Sequence, residues 1–222
     1  MAKEQERGLV SYKARDGQEV QLTFDTVKNY LVTGRKELVK AQELMMYMGT
    51  CKARGLNPFA KDCFLVKYSE NEVAATIVAI GFYESRARAQ ADCVGWECGV
   101  ICQSKKDGSL RYSHGLVLDT EDVVGGWFEA QPTKWAKPFK LEVNLREYQK
   151  KTKDGHVTKF WQNPAMMIAK VATSQGLRKL WPDEFRGTIT SEEAGLQLDP
   201  LDTMENITPE QAPAAAPEAR AL

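Results

Sequence analysis

Residues 159–182, KFWQNPAMMIAKVATSQGLRKLWP, decide how the rest of the chain is read. An aromatic pair, Phe160 and Trp161, precedes Asn163, whose side-chain oxygen suits an N-cap. Pro164 fits the first helical position, where a missing N–H costs nothing. The pattern predicts a helix to about Leu180, ended by Pro182. Met166, Met167, Ile168, Val171, Leu177 and Leu180 leave most of its surface apolar, the mark of a largely buried helix. Lys170, Ser174 and Arg178 recur every four residues and form one polar stripe. Such a stripe either faces an anion, or pairs with carboxylates and snorkels to solvent.

The sequence upstream of this helix is basic. Lys134 to Lys179 holds eleven Lys/Arg against Glu142, Glu147 and Asp154. Residues 1–186 carry 29 of the 30 basic and 23 of the 30 acidic residues, a balance of +6; residues 187–222 carry one arginine against seven acids, a balance of −6. A net charge of zero therefore combines a basic body, suited to a polyanion, with an acidic tail. Aromatics interleave with these cations: Trp127, Phe128, Trp135, Phe139, Tyr148, Phe160 and Trp161. Cations for phosphates beside flat rings for bases are the means by which single-stranded nucleic acid is held, and Trp161 is the favoured stacking residue.

The remaining sequence reads as α+β: antiparallel hairpins with helices between them, packed around the late helix. A hairpin turns at Asp16-Gly17 within residues 9–24, and a short helix follows over 25–31. A helix over 37–54 stops at Gly55, and strands are expected at 62–68 and 73–80. Residues 81–91 form a short helix carrying Arg86 and Arg88. In the strand 94–103 the even positions Val94, Trp96, Cys98, Val100 and Cys102 form the buried face. Residues 110–118 return with Leu110, Tyr112, Leu116 and Leu118 on one face, and a further hairpin joins 126–131 to 139–145. The domain is expected over 1–190, and 191–222 as a disordered acidic Ala/Pro-rich tail.

Several functions are poorly supported. No apolar run approaches the ~20 residues of a membrane span, and the N-terminus lacks the apolar stretch of a secretory signal. The five cysteines are expected to be reduced thiols in a cytoplasmic protein. Cys93, Cys98, Cys102 and His114 match no zinc spacing, and no phosphate loop for ATP is present. Asp119, Glu121 and Asp122 leave a metal-dependent nuclease as the alternative, beside a non-catalytic oligomeric scaffold.

Three stretches resemble the RecT/Bet (Redβ-like) family of phage single-strand annealing proteins. They are Gly55-Leu56-Asn57-Pro58-Phe59-Ala60-Lys61, the strand, glycine and short helix of Thr76–Gln90, and WQNPAMMIAKVATSQGLRKLWP. The resemblance implies an ATP-independent protein, not an enzyme, that binds single-stranded DNA and anneals complementary strands in recombination. It also implies a homo-oligomeric ring or helical filament, a phage exonuclease and a host single-strand-binding protein as partners, and duplex DNA as product. No cofactor is implied beyond Mg2+ as a modulator. Lys61 and Arg178 match the family's basic positions, with Lys134, Lys137 and Lys151 in its basic stretches. The full expected DNA-contact set adds Lys36, Lys67, Arg86, Arg88, Lys153, Lys159, Trp161, Lys170 and Lys179. Redβ-like members carry lysines where this chain has Ala165 and Val171, and the tail is too short for Redβ's separate C-terminal domain. That tail competes for the groove, recruits a basic partner or aids solubility.

Overall fold

The computed structural model describes residues 8–151 and 154–194, with backbone alone at 159 and 160. Hairpin β1–β2 (Val10–Lys13 and Glu19–Leu22) closes over the Asp16-Gly17 turn. A single helical turn, α1 (Phe24–Thr26), runs into a π-helical turn over Val27–Leu31 and then β3 (Val32–Gly34). Next come α2 (Ala41–Arg54), β4 (Cys63–Lys67), β5 (Ala75–Val78) and α3 (Ile80–Arg88). Strands β6 (Trp96–Ser104), β7 (Leu110–Ser113), β8 (Glu121–Ala130) and β9 (Phe139–Asn144) follow. The chain then forms α4 (Leu145–Tyr148), α5 (Pro164–Leu180), α6 (Pro182–Phe185) and α7 (Ser191–Ala194).

The architecture is α+β, as expected. Its strands form three sheets: β1-β2, β3-β4-β5 and β7-β6-β8-β9. All pairs are antiparallel except β3–β4, which run parallel because α2 lies between them in sequence. Helix α2 starts later than its periodicity indicated, since Lys36–Leu38 form a separate 3-10 turn. It ends at Gly55 with φ 64°, a left-handed position that suits glycine. Asn57 is buried and braces the following turn: its Oδ1 accepts from the amides of Phe59 and Ala60, and its Nδ2 donates to Asp16.

Helix α5 lies across the four-stranded sheet, and two glycines set how close it comes. A Cβ on Gly126 of β8 would sit 2.5 Å from Ile168 O. A Cβ on Gly176 of α5 would collide with the Phe128 ring. Ile168, Val171, Ala172 and Leu177 fill this interface and are fully buried. Pro164 begins the helix as expected, but Asn163 makes no side-chain cap.

Four sequence readings need correction. Trp161 is 0% exposed and part of the core, so it offers no stacking face. Gly99, Val100, Ile101 and Cys102 are all buried, so the middle of β6 is covered on both faces instead of alternating. Leu110, Tyr112, Leu116 and Leu118 are exposed, because edge strand β7 and the turn after it receive no helix. Residues 191–194 are helical and seat against α5, whereas residues 195–222 of the expected tail lie outside the described set.

Candidate functional site

The first turn of α5 borders a cleft of about 650 Å³. Its walls are largely apolar, from Ile80, Val117, Val123, Met166 and Ala169, and its polar rim includes His114, Gln162, Asn163 and Lys170. The first turn contains no acidic residue, so the positive end of the helix dipole is not offset there by a carboxylate of that turn. Glu84 of α3 lines this cleft and also a second hollow of about 420 Å³ that contains Arg88 and Trp96. The Arg88 guanidinium sits 5.5 Å from the centre of the Trp96 ring. The two hollows thus adjoin along one face of α3 and β6.

The loops at the far end of this path are tied together. Asp92 O accepts from the Thr133 amide at 3.0 Å, and Asp92 Oδ1 accepts from Trp181 Nε1 at 2.9 Å. These bonds join the loop after α3, the loop between β8 and β9, and the C-terminal end of α5. Exposed Lys134 and Lys137 lie on the second loop, and exposed Lys179 lies two residues before Trp181. Trp135 stands between the two lysines, 43% exposed, with Phe139 edge-on at 6.0 Å. The tied segments therefore carry Lys134 and Lys137 around an exposed indole, with Lys179 two residues before the tied Trp181 and Arg88 four residues before Asp92.

The α5 stripe differs from its sequence reading. Ser174 is fully buried, its hydroxyl donating to Val171 O at 3.1 Å. Lys170 Nζ lies 3.2 Å from Glu192 Oε1. Arg178 donates to both Glu193 oxygens, at 2.9 and 2.5 Å, and to Tyr83 Oη at 3.1 Å. Burial works to lower the Arg178 pKa, but Glu193 and the Tyr83 hydroxyl outweigh it and hold the guanidinium above its ordinary value. Both cations of the stripe face carboxylates of the same chain.

Other expected contacts divide between surface and interior. Lys36 and Lys61 are exposed, Lys61 with φ 63° on the turn that Asn57 braces. Lys151 is exposed on the loop before α5; Lys153 and the side chain of Lys159 lie outside the described residues. Lys67 is buried: its ammonium meets Glu43 Oε1 at 2.8 Å and the Glu72 carbonyl, so it is no DNA contact in this conformation. Arg86 is also engaged, 2.7 Å from Glu184, which Arg15 approaches at 3.6 Å. Two of the three acids behind the nuclease alternative are paired with cations: Arg111 meets both Glu121 oxygens, and Lys105 lies 3.4 Å from Asp122 while also donating to the Asp119 backbone carbonyl. Arg111, with the Leu118 amide, favours Glu121's charge more than burial opposes it, and the carboxyl falls to about 2. Among the described residues, no group of three His, Cys, Asp or Glu is placed to hold a metal ion. No described helix is long and apolar enough to cross a membrane.

Sequence reasoning missed the cleft, because its wall is assembled from α3, β6, β8 and α5. It also undervalued Trp135. The usable signal was local: this tryptophan lies between Lys134 and Lys137 in a stretch without apolar alternation, whereas Trp161 adjoins an apolar helix.

Two comparisons bear on this arrangement. No curated protein matches the chain. A family model described as RecT family matches residues 17–211, most of its length.

Proposed function

The chain belongs to the RecT family, and on that premise we propose that it binds single-stranded DNA and anneals complementary strands without ATP, as an oligomeric ring or helical filament. RecT family proteins are single-strand annealing proteins of phage-type recombination and not classical enzymes. The observation that carries the proposal is the extent of the family match, which takes in the cleft, the basic loops and α5.

The surface chemistry supports it. Phosphates of one strand follow Arg88, Lys134, Lys137 and Lys179, while Trp135 supplies a face for a base. The apolar cleft at the start of α5 takes bases further along, with its helix N-terminus and Lys170 near the backbone. These contacts fix the backbone and leave pairing edges free, so duplex formation itself supplies the driving force. Neither a nucleotide cofactor nor a catalytic residue is required, and Mg2+ modulates binding by screening phosphates. Lys36, Lys61 and Lys151 lie on other exposed loops, where a strand shared by neighbouring protomers would pass. The chain acts in the bacterial cytoplasm beside a phage exonuclease and the host single-strand-binding protein.

The test is annealing of complementary oligonucleotides, followed by fluorescence quenching without ATP, with negative-stain images of the same samples. The proposal predicts annealing well above the spontaneous rate, and rings or filaments on the grids. A rate equal to spontaneous pairing would overturn it.

A further inference from the structure

Glu192 and Glu193 occupy the two α5 cations that the sequence pattern offers to an anion. Glu192 is 4% exposed; one oxygen lies 3.2 Å from Lys170 Nζ and the other accepts from Ser191 Oγ at 3.0 Å. Glu193 engages Arg178 through both oxygens. Lys170 and Arg178 are eight residues apart on one helix, about 12 Å along its axis, and adjacent glutamates reach both. A carboxylate gripped by a guanidinium through two oxygens presents the geometry that a phosphate takes there.

The segment carrying these glutamates has limited support of its own. Helix α7 has four residues, far below the length at which a helix persists alone. Besides the ion pairs, its seat depends on the burial of Thr190 and Ser191, the Thr190 amide and hydroxyl donating to Glu193 Oε2 at 3.1 and 3.3 Å, the Tyr83–Thr188 hydroxyl bond of 2.6 Å, and the β-bridge between Ile77 and Ile189, where Val78 N donates to Ile189 O at 2.9 Å. Among the described residues of this segment, 187–194, the charged side chains are Glu192 and Glu193, so what meets the α5 cations has the sign of a nucleic acid.

We propose that α7 is a built-in mimic of a DNA backbone, closing Lys170 and Arg178 in the free protein and leaving them when DNA phosphates take its place. This rests on the DNA-binding reading above and adds its regulation. Strand binding then includes an exchange of carboxylates for phosphates at the same two cations. Weak DNA meets a closed helix, and a strand held first at Arg88, Lys134 and Lys137 opens it.

The experiment uses the full chain and a fluorescent oligothymidylate, read by anisotropy. Glu192→Gln/Glu193→Gln is expected to bind about fivefold tighter or better than the wild type, the scale of one part-exposed ion pair. That gain should vanish in a Lys170→Gln/Arg178→Gln background. The equal-charge control Glu19→Gln/Asp25→Asn, at exposed sites of the β1–β2 hairpin and α1, should not reproduce it. In the unaltered protein, saturating oligothymidylate should speed hydrogen exchange at the amides of residues 190–194. Wild-type binding with no gain over the control, or with unchanged exchange at 190–194, overturns the inference while leaving the DNA reading intact. Failure of both the wild type and the opened variant to bind overturns the two together.

Discussion

Lys61 lies just before β4 and Lys67 ends it, and the two have opposite roles. Lys61 follows a turn and is exposed, whereas Lys67 ends β4, 2% exposed, against Glu43. Alternation alone would have put one face of β4 toward solvent, yet Leu65, Val66 and Lys67 are all buried because neighbours cover both faces. Removing one partner of a buried pair strands the other charge, so Lys67→Met is expected to cost about 3 kcal/mol in urea unfolding. Burial opposes the Glu43 charge, but the Lys40 and Ala74 amides and Lys67 overcome this and bring the carboxyl from 4.5 to about 2. A depressed carboxyl contributes its full stability above its unfolded value and loses it as the pH falls toward the folded one. Wild-type stability should therefore decline between pH 4.5 and about 2 more steeply than that of Glu43→Gln. Trp135 gives the complementary prediction at this scale. Trp135→Ala should weaken oligothymidylate binding by about 1–3 kcal/mol with little change in unfolding midpoint.

Helix α5 was the most legible element in the sequence. Its proline start, its apolar surface and its end at Leu180 all follow from residue type. Its cations were legible as a stripe, but their partners were not, since Glu192 and Glu193 lie in a segment whose composition reads as tail. The neighbouring sheet was only partly legible. The exposed face of β7 and the turn after it looked like a core face because Leu110, Tyr112, Leu116 and Leu118 fall on one side of an alternating pattern, yet no described helix crosses that edge. The seating of α5 depends on two glycines that carry no pattern signal. Gly176→Ala must push Phe128 aside and should cost about 1–3 kcal/mol, measurable as a lower urea midpoint at an unchanged denaturant slope. The same change should leave DNA affinity per folded molecule unaltered, because Gly176 faces the sheet and not the cleft.

At the scale of the molecule, charge is distributed by depth as well as by sequence. Lys67, Arg86, Lys170 and Arg178 are drawn into ion pairs that hold segments together. Arg88, Lys134, Lys137 and Lys179 stay exposed around the tied loops. Family membership was legible because its motifs are contiguous stretches; the site was less so, because cations of equal promise in sequence differ in whether a carboxylate reaches them in the fold. The central claim is that the exposed set, rather than the paired one, first holds a DNA strand. It is tested most directly by the salt dependence of oligothymidylate binding for wild type and Arg88→Ala/Lys134→Ala/Lys137→Ala. Each phosphate contact on a single strand contributes about 0.7 to the slope of log affinity against log salt. The account predicts a slope shallower by about 2 in the folded triple variant, with weaker binding at low salt. A folded variant with the wild-type slope and affinity would contradict it.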